Sequence, residues 1–494
     1  MKKMEIERRF LLYPCSMKRF LKMHGIRYRA IPIQQFYVVA DTERVERFRK
    51  LGDRYIRTCK QGSGLVRDES EEEITKDLFD AAMYRNSGGV IRKTRRIFEY
   101  RGYRFELDSF KGELRGLNVL EIEFESEAEA KGFELPEPFR HILAAEVTYK
   151  PKFTNGAISR IMRIPALETD LAALIGQIEK RPSFLKASTS ISLTPFESGS
   201  HALKALFYSL LKSVDANKRA ILSGDEDPER LHQLRVAMRK LRALLSQMTP
   251  LFDATWLETH KLKLAGLMRQ TGEKRDIDVY LLHIPLYKSM ISEKLHPGID
   301  ALEAYLLHQV KEKEEALKQF LRSGPFSDEM AILTDFATSE NMEGLSGRAT
   351  GPLIIEVKSA LRKRYKKVLK KGSEIDADSE AHRYHMVRID VKKLRYMMEF
   401  FASILDNEAY SMMLKKLKTI QTILGEHQDL DVQRHHLKAF TELPELHTDE
   451  TITAVEALRQ TMAKLEMEKR SEFRDAFREF AKTGELFHKM VCKF

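Results

Sequence analysis

The chain has 494 residues, 43% apolar and 32% charged, with a net charge of +11. That length holds about two to four domains, each with its own core, and no apolar run approaches the roughly 18 residues of a membrane-spanning helix. Cys15, Cys59 and Cys492 lie far apart, which argues against a disulfide framework or a cysteine-based zinc site. Patterned structure begins almost at Met4, with no apolar leader, so the expected location is the cytoplasm.

The charge is unevenly spread. Residues 1–160 carry 32 Lys and Arg against 25 Asp and Glu, and residues 201–494 carry 48 against 44. The nearly balanced C-terminal part argues against a DNA-coating protein, whose basic excess runs throughout. Neither a membrane nor a specific nucleic-acid sequence is an expected partner, and the sequence carries no signal of oligomeric state.

Taken in order, residues 1–157 read as a β-rich domain. Period-two alternation predicts strands at 4–12, 54–60, 65–74, 91–100, 103–110 and 119–124, with glycine turns at 61–64, 101–102 and 112–116. A short helix is expected at 128–132 and an exit turn at Asn155-Gly156. Residues 158–199 read as a connector, with a helix at 167–178 and a Ser/Thr-rich linker after it. From 200 to 494 strand signals vanish. Breaks at 224–228, 296–298, 323–325, 341–352 and 372–379 divide an all-helical domain.

Alternate side chains of a strand share a face, and several faces here are charged with mixed sign. Glu5, Glu7 and Arg9 share one, as do Arg67, Glu69, Glu71 and Glu73. Arg104, Glu106 and Asp108 form another, and Glu121, Glu123 and Glu125 a fourth. Cross-strand ion pairs on an exposed sheet account for any single strand. A closed antiparallel barrel built from all of them must turn one face inward, where unpaired acids are prohibitive. Glu5, Glu7, Glu121 and Glu123 are hard oxygen ligands suited to Mg2+ or Mn2+. Arg9, Arg47, Arg49, Lys60, Lys93 and Arg95 suit phosphate oxygens. Together they would neutralise charge on a transferred phosphoryl group and orient a water.

A second pattern occurs twice. His232, Arg235, Arg239 and Arg242 recur 153 residues later as His385, Arg388, Lys392 and Arg395, and the same offset carries Gly272–Val279 onto Gly425–Val432. Constant spacing across two motifs implies duplication of a structural unit. On a helix these four positions span a stripe about 80° wide, beside an apolar face of Leu231, Leu234, Met238, Leu241 and Leu245 in the first copy. Like charges three and four apart repel, so the ridge becomes favourable when a polyanion lies on it. A solvated basic face explains one copy; repetition with the histidine kept each time favours a ligand. Neither histidine has a second metal ligand at i+4, so a structural hydrogen bond or a neutral phosphate donor is expected. His435-His436 is expected to be a surface pair.

Residues 1–155 resemble the CYTH domains, or triphosphate tunnel metalloenzymes. Glu5-Ile6-Glu7-Arg8-Arg9 is similar to their ExExK opening, Arg67–Ile74 to their R-x-E-x-E-x-E-I strand, Glu121-Ile122-Glu123-Phe124 to a late E-x-E strand, and Glu146-Val147-Thr148 with Asn155 to the closing segment. The resemblance implies a closed eight-stranded barrel around a hydrophilic tunnel. It also implies hydrolysis of inorganic triphosphate, thiamine triphosphate or RNA 5′-triphosphate ends, or cyclisation of ATP. It makes Glu5, Glu7, Glu121 and Glu123 metal ligands, Glu5, Glu7, Arg9, Lys60 and Lys93 catalytic groups, and Arg47, Arg49, Arg67 and Arg95 phosphate contacts. Arg9 stands where the family has Lys, and the two cations are not interchangeable.

Residues 200–494 resemble the CHAD domains, the conserved-histidine α-helical domains. His232-x-x-Arg235 through Arg242 and His385-x-x-Arg388 through Arg395 look like their paired signature. That resemblance implies two four-helix bundles related by a pseudo-twofold, with a basic groove that binds inorganic polyphosphate and locates the protein on it, as at polyphosphate granules. Arg275 in the first copy becomes Gln428 in the second, so the halves need not contribute equally. The leading expectation is a metal-dependent triphosphatase with a polyphosphate-binding domain. A polyphosphate-binding scaffold with a silent barrel and a nucleotide-acting barrel remain open beside it.

Overall fold

A computed structural model of the chain describes residues 6–40, 44–61, 68–86, 88–167, 170–376 and 378–493. Among these, nine strands form one antiparallel sheet: β1 (Ile6–Leu12), β2 (Arg29–Ala40), β3 (Arg44–Leu51), β4 (Arg54–Gln61), β5 (Asp68–Glu73), β6 (Ile91–Tyr100), β7 (Tyr103–Phe110), β8 (Asn118–Phe124) and β9 (Leu143–Glu146). The spatial order is β5-β4-β3-β2-β6-β7-β8-β1-β9. The expectation of a closed barrel is corrected in one respect: hydrogen bonds do not close the sheet, and among the described residues β5 and β9 have no strand on their outer edges. Right-handed twist curls the sheet instead, and eight of its strands face one cavity.

Alternation decides which face is wet. On β2 and β3, Phe36 and Phe48 turn outward beneath α2 (Lys76–Tyr84) and stack on each other at 5.4 Å, with Phe79 of that helix 5.2 Å from Phe36. Their neighbours Gln35, Tyr37, Arg47 and Arg49 are thereby turned inward. Phe105, Leu107, Leu120 and Ile122 pack outward in the same way, covered from the α1 (Met17–Met23) and α3 (Glu127–Gly132) side. The apolar core thus lies outside the sheet and the polar face inside. Asn155-Gly156, expected as an exit turn, opens the helix α4 (Asn155–Ile161); the Thr154 side chain caps it by accepting from Ala157 N–H at 3.3 Å.

After α5 (Leu171–Glu179) come α6 (Gly199–Leu222), α7 (Pro228–Gln247), α8 (Ala254–Gln270), α9 (Gly272–Ser289), α10 (His296–Arg322), α11 (Gly324–Thr338), α12 (Leu353–Ser373), α13 (Ala381–Phe400), α14 (Asn407–Phe440), α15 (Asp449–Ala481) and α16 (Gly484–Cys492). The duplication is structural: α7 starts at Pro228 and α13 at Ala381, α10 at His296 and α15 at Asp449, each pair 153 apart. One difference stands out. Thr271-Gly272 divides α8 from α9, whereas Leu424-Gly425 lies inside the continuous α14. The expected break at 296–298 is the first turn of α10, where Pro297 forfeits no helical hydrogen bond. Gly298 is required there, because a Cβ would lie 2.5 Å from the Glu450 carbonyl oxygen of α15.

The main core runs through α6, α7 and α11 and through α12, α13 and α16. A second core joins α9 and the first half of α10 to the end of α14 and the first half of α15. The sheet domain docks on the second repeat. Lys358 of α12, 3% exposed, donates to the Pro14 carbonyl at 2.8 Å and lies 4.9 Å from the Tyr13 ring. The Tyr13 hydroxyl donates to the Ile404 carbonyl, and the Cys15 thiol to that of Cys492 at 3.0 Å. No helix among the described residues is long and apolar enough to cross a membrane.

Candidate active site and anion groove

The concave face of the sheet encloses a cavity of about 460 Å³. Strand register brings its walls together. Glu7 lies opposite Glu123, and Arg9 opposite Glu121. Gln35 and Tyr37 lie opposite Arg49 and Arg47, and Arg95 opposite Asp108. Glu7, Arg9, Arg47, Arg49, Lys93, Arg95, Glu121 and Glu123 all line the cavity. Of the remaining sequence candidates, Glu5 and Arg67 lie outside the described residues, and Lys60 is described only through its backbone in β4.

One wall is an ion network. Lys93 donates to Asp108 at 2.5 Å, and Arg95 holds both oxygens of that carboxylate at 2.8 and 2.7 Å. Arg95 also bonds Glu121 at 2.6 Å and pairs with Glu106. Burial disfavours the Asp108 anion, yet Lys93 and Arg95 hold its pKa below the usual carboxylate range. Burial lowers Lys93, partly offset by Asp108. Glu121 is pushed up to about 7, first by burial and then by the charge of Asp108. It is a carboxylate short of positive charge.

The opposite wall is short of negative charge. Arg49 bonds Glu71 at 2.7 Å, but burial and the neighbouring Arg47 still lower its pKa. The Nε atoms of Arg47 and Arg49 are buried and donate to no acceptor among the described residues. A buried donor without a partner is costly, and two facing one cavity suit an anion with several oxygens; Arg9, beside Glu121, lies 3.6 Å through its Nε from Glu7.

In the helical domain α7 and α13 pack together, so the two ridges merge. Burial lowers Arg388, and Arg239 of the other repeat adds to the shift. Lys392 is lowered to about 7 by burial and then by Arg388 and Arg239. Some cations are tethered: Arg235 donates to the Met268 carbonyl at 2.9 Å and to Thr271 at 2.6 Å, Arg395 bonds Glu399 at 2.9 Å, and Arg388 lies 3.8 Å from Asp429. Arg242 is the most exposed of its ridge. The histidines differ as Arg275 and Gln428 do. His385 Nδ1 lies 2.5 Å from Gln428 Oε1, whereas burial and the Arg275 charge keep His232 below its ordinary pKa. The expected surface pair is exposed at both residues, and His436 also bonds the Tyr280 hydroxyl at 2.9 Å.

Comparison with known proteins matches these two halves separately. An inorganic triphosphatase from Nitrosomonas europaea is 34% identical over 159 residues, 31% of this chain and 96% of the relative. Another, from Acetivibrio thermocellus, is 32% identical over 153 residues, 31% of this chain and 90% of the relative. The CHAD domain family matches residues 205–438. The chain belongs to the CYTH family, with a CHAD domain behind. The crystal structure of the CHAD domain from the plant Ricinus communis covers 60% of this chain and 97% of its own, at a TM-score of 0.50 and 23% identity, and shares the fold of the helical half.

The CYTH cavity holds residues that charge alternation did not single out. Gln35, Tyr37 and Thr58 are neutral, and Thr154 and Asn155 enter from the start of α4. Thr58 accepts weakly from Arg47 and Arg49 at 3.5 and 3.4 Å, and Asn155 from Lys93 at 3.4 Å. The signal for the first group was the alternation of Gln35 and Tyr37 about Phe36. In the CHAD half the repeated segments Gly272–Val279 and Gly425–Val432 supply Asp276 and Asp429, which sit beside Arg235 and Arg388 and whose pKa values burial raises.

Proposed function

We propose that the CYTH domain hydrolyses inorganic triphosphate, or another short phosphate chain, with Mg2+ or Mn2+, and that the CHAD domain holds long-chain inorganic polyphosphate. One observation carries the reading: Arg47 and Arg49 present buried, unsatisfied donors to the cavity that Arg9, Glu7, Glu121 and Glu123 also line. The relatives named as inorganic triphosphatases, covered almost whole by this chain, support the substrate class.

Among the described residues no three acidic, His or Cys side chains form a ready-made metal site; Mg2+ is bound by one or two carboxylates together with substrate phosphates, and Glu7 and Glu123 are register partners beside Glu121. These three, with Glu5 from the sequence pattern, would hold the ion, which supplies polarisation of a phosphoryl oxygen and an activated water. The chain's own side chains bind and orient. Arg9, Arg47 and Arg49 clamp phosphate oxygens as bidentate donors, with Lys60 and Arg67 added on the sequence pattern. Lys93 and Arg95, fixed by Asp108, hold cations along the scissile chain within a network that also contains Glu106 and Glu121. Positioning and charge neutralisation of this kind are what phosphoryl transfer requires.

In the CHAD domain the merged ridges repel one another until a polyanion spans them, and attachment there would carry the protein to polyphosphate granules in the cytoplasm. The deciding assay is phosphate release from tripolyphosphate, ATP, thiamine triphosphate and long polyphosphate, with Mg2+ and with Mn2+. Tripolyphosphate is the expected best substrate. No release from it with either metal sinks the enzymatic reading in favour of a scaffold, and cyclic AMP from ATP would transfer it to nucleotide chemistry.

A further inference from the structure

The Ser/Thr-rich connector lines a second cavity. This space, about 710 Å³, opens between α7 and α13, and its lining brings Lys186 of the connector together with Arg239, Lys240, Lys392 and Arg395 against the carboxylate of Glu399. Lys186 belongs to neither repeat of the helical domain, yet it stands in the same cation array.

The connector is built into that wall. The Ala187 N–H donates to Gln233 Oε1 at 3.0 Å, and the Ala187 carbonyl accepts from Lys240, itself 9% exposed, at 2.9 Å. The Ser188 carbonyl accepts from the Ser209 hydroxyl at 2.6 Å, and Arg181 reaches the carbonyls of Ser188 and Ser190. Asn217 donates to the Leu185 carbonyl at 2.9 Å. Both sides of Lys186 are therefore pinned, while its own side chain remains exposed. It lies close enough to Lys240 that the two charges oppose each other.

The segment 153 residues further on, 339–343, carries Glu340 and Glu343 and no Lys or Arg, and it packs on the first repeat too: Lys204 of α6 donates to the carbonyls of Ser339 and Asn341 at 2.6 Å, and Glu340 pairs with His201 at 3.2 Å.

We propose that the connector is part of the polyanion-binding surface: Lys186, held on the Leu185–Ser190 turn, contacts the same phosphate chain as the α7 and α13 ridges and extends the groove at the first-repeat end. This rests on the polyphosphate reading of the CHAD domain.

The test is retention of long-chain polyphosphate by the full chain across a salt series, for the native protein and for Lys186→Glu, Lys186→Ala, Lys186→Arg and Arg239→Ala. Lys186→Glu should weaken binding about tenfold, and the neutral variant should lower the slope of log affinity against log salt by about one, as loss of a single phosphate contact does for nucleic acids. Lys186→Arg should restore both, with thermal midpoints unchanged throughout. Native affinity and slope in Lys186→Glu and Lys186→Ala, while Arg239→Ala is weakened, overturn the connector's role alone. No retention by the native chain overturns the groove reading and this one with it.

Discussion

Lys93 on β6 and Asp108 on β7 meet at 2.5 Å with side chains 2% and 1% exposed. Removing one member of a buried ion pair leaves the other charge unmatched. Asp108→Ala strands Lys93, while Arg95 keeps Glu106 and Glu121, and should cost about 3–5 kcal/mol, read as an earlier urea midpoint for the sheet domain. An unchanged midpoint would show that Lys93 finds another anion in the cavity.

Glu7 and Glu123 face each other across β1 and β8. Glu7→Ala and Glu123→Ala should each lower tripolyphosphate turnover at least about 100-fold, the scale of losing one group that stabilises developing charge. A chelator should do the same to the native protein and Mg2+ should reverse it. Polyphosphate retention by these variants should stay native, which separates the two domains' tasks.

Lys392 gives polyphosphate binding a pH dependence. Its folded-state pKa, lowered to about 7 from 10.5, leaves it partly neutral at pH 7, and a bound phosphate chain favours the charged form. Binding should therefore take up a proton, and affinity should fall as pH rises from about 6 to 8. Lys392→Arg should flatten this slope, because a guanidinium stays charged. Calorimetry in buffers of different ionisation enthalpy measures the proton directly. Without ligand the unfolded chain binds more protons than the fold between about pH 7 and 10.5 at this site, so stability rises with pH across that window.

Reversing Arg235, Arg239, Arg388 and Lys392 to Glu should abolish polyphosphate retention while tripolyphosphate turnover in the sheet domain persists. Retention by this variant would exclude the merged ridges as the binding surface. In the native protein, binding should weaken steeply with salt, by analogy with counterion release from nucleic acids.

Much of this arrangement is legible in the sequence, because charge and period are strong signals when they coincide. The 153-residue offset set the helix pairs in register, and the ridges followed from four positions in each copy. Glu7, Arg9, Glu121 and Glu123 were found because charged residues alternate with apolar ones. What stayed hidden had no such contrast. Residues 29–40 place Ile33 and Phe36 on opposite faces and include Pro32, so β2 shows no clean alternation, and neutral Gln35 and Tyr37 add no charge. The open edges of the sheet depend on pairing between distant strands, which no local pattern reports. Lys186 looks like one lysine in a linker until Gln233 and Lys240 fix the peptide beside it.

The contacts of Tyr13 and Cys15 with Ile404 and Cys492 span 391 and 477 positions. At about 5–20 residues per second of synthesis, the ribosome makes the N-terminal partner about 20–100 s before the residue that completes the seam. Until α16 has left the ribosome this surface of the CYTH domain stays bare, and only then can the seam close.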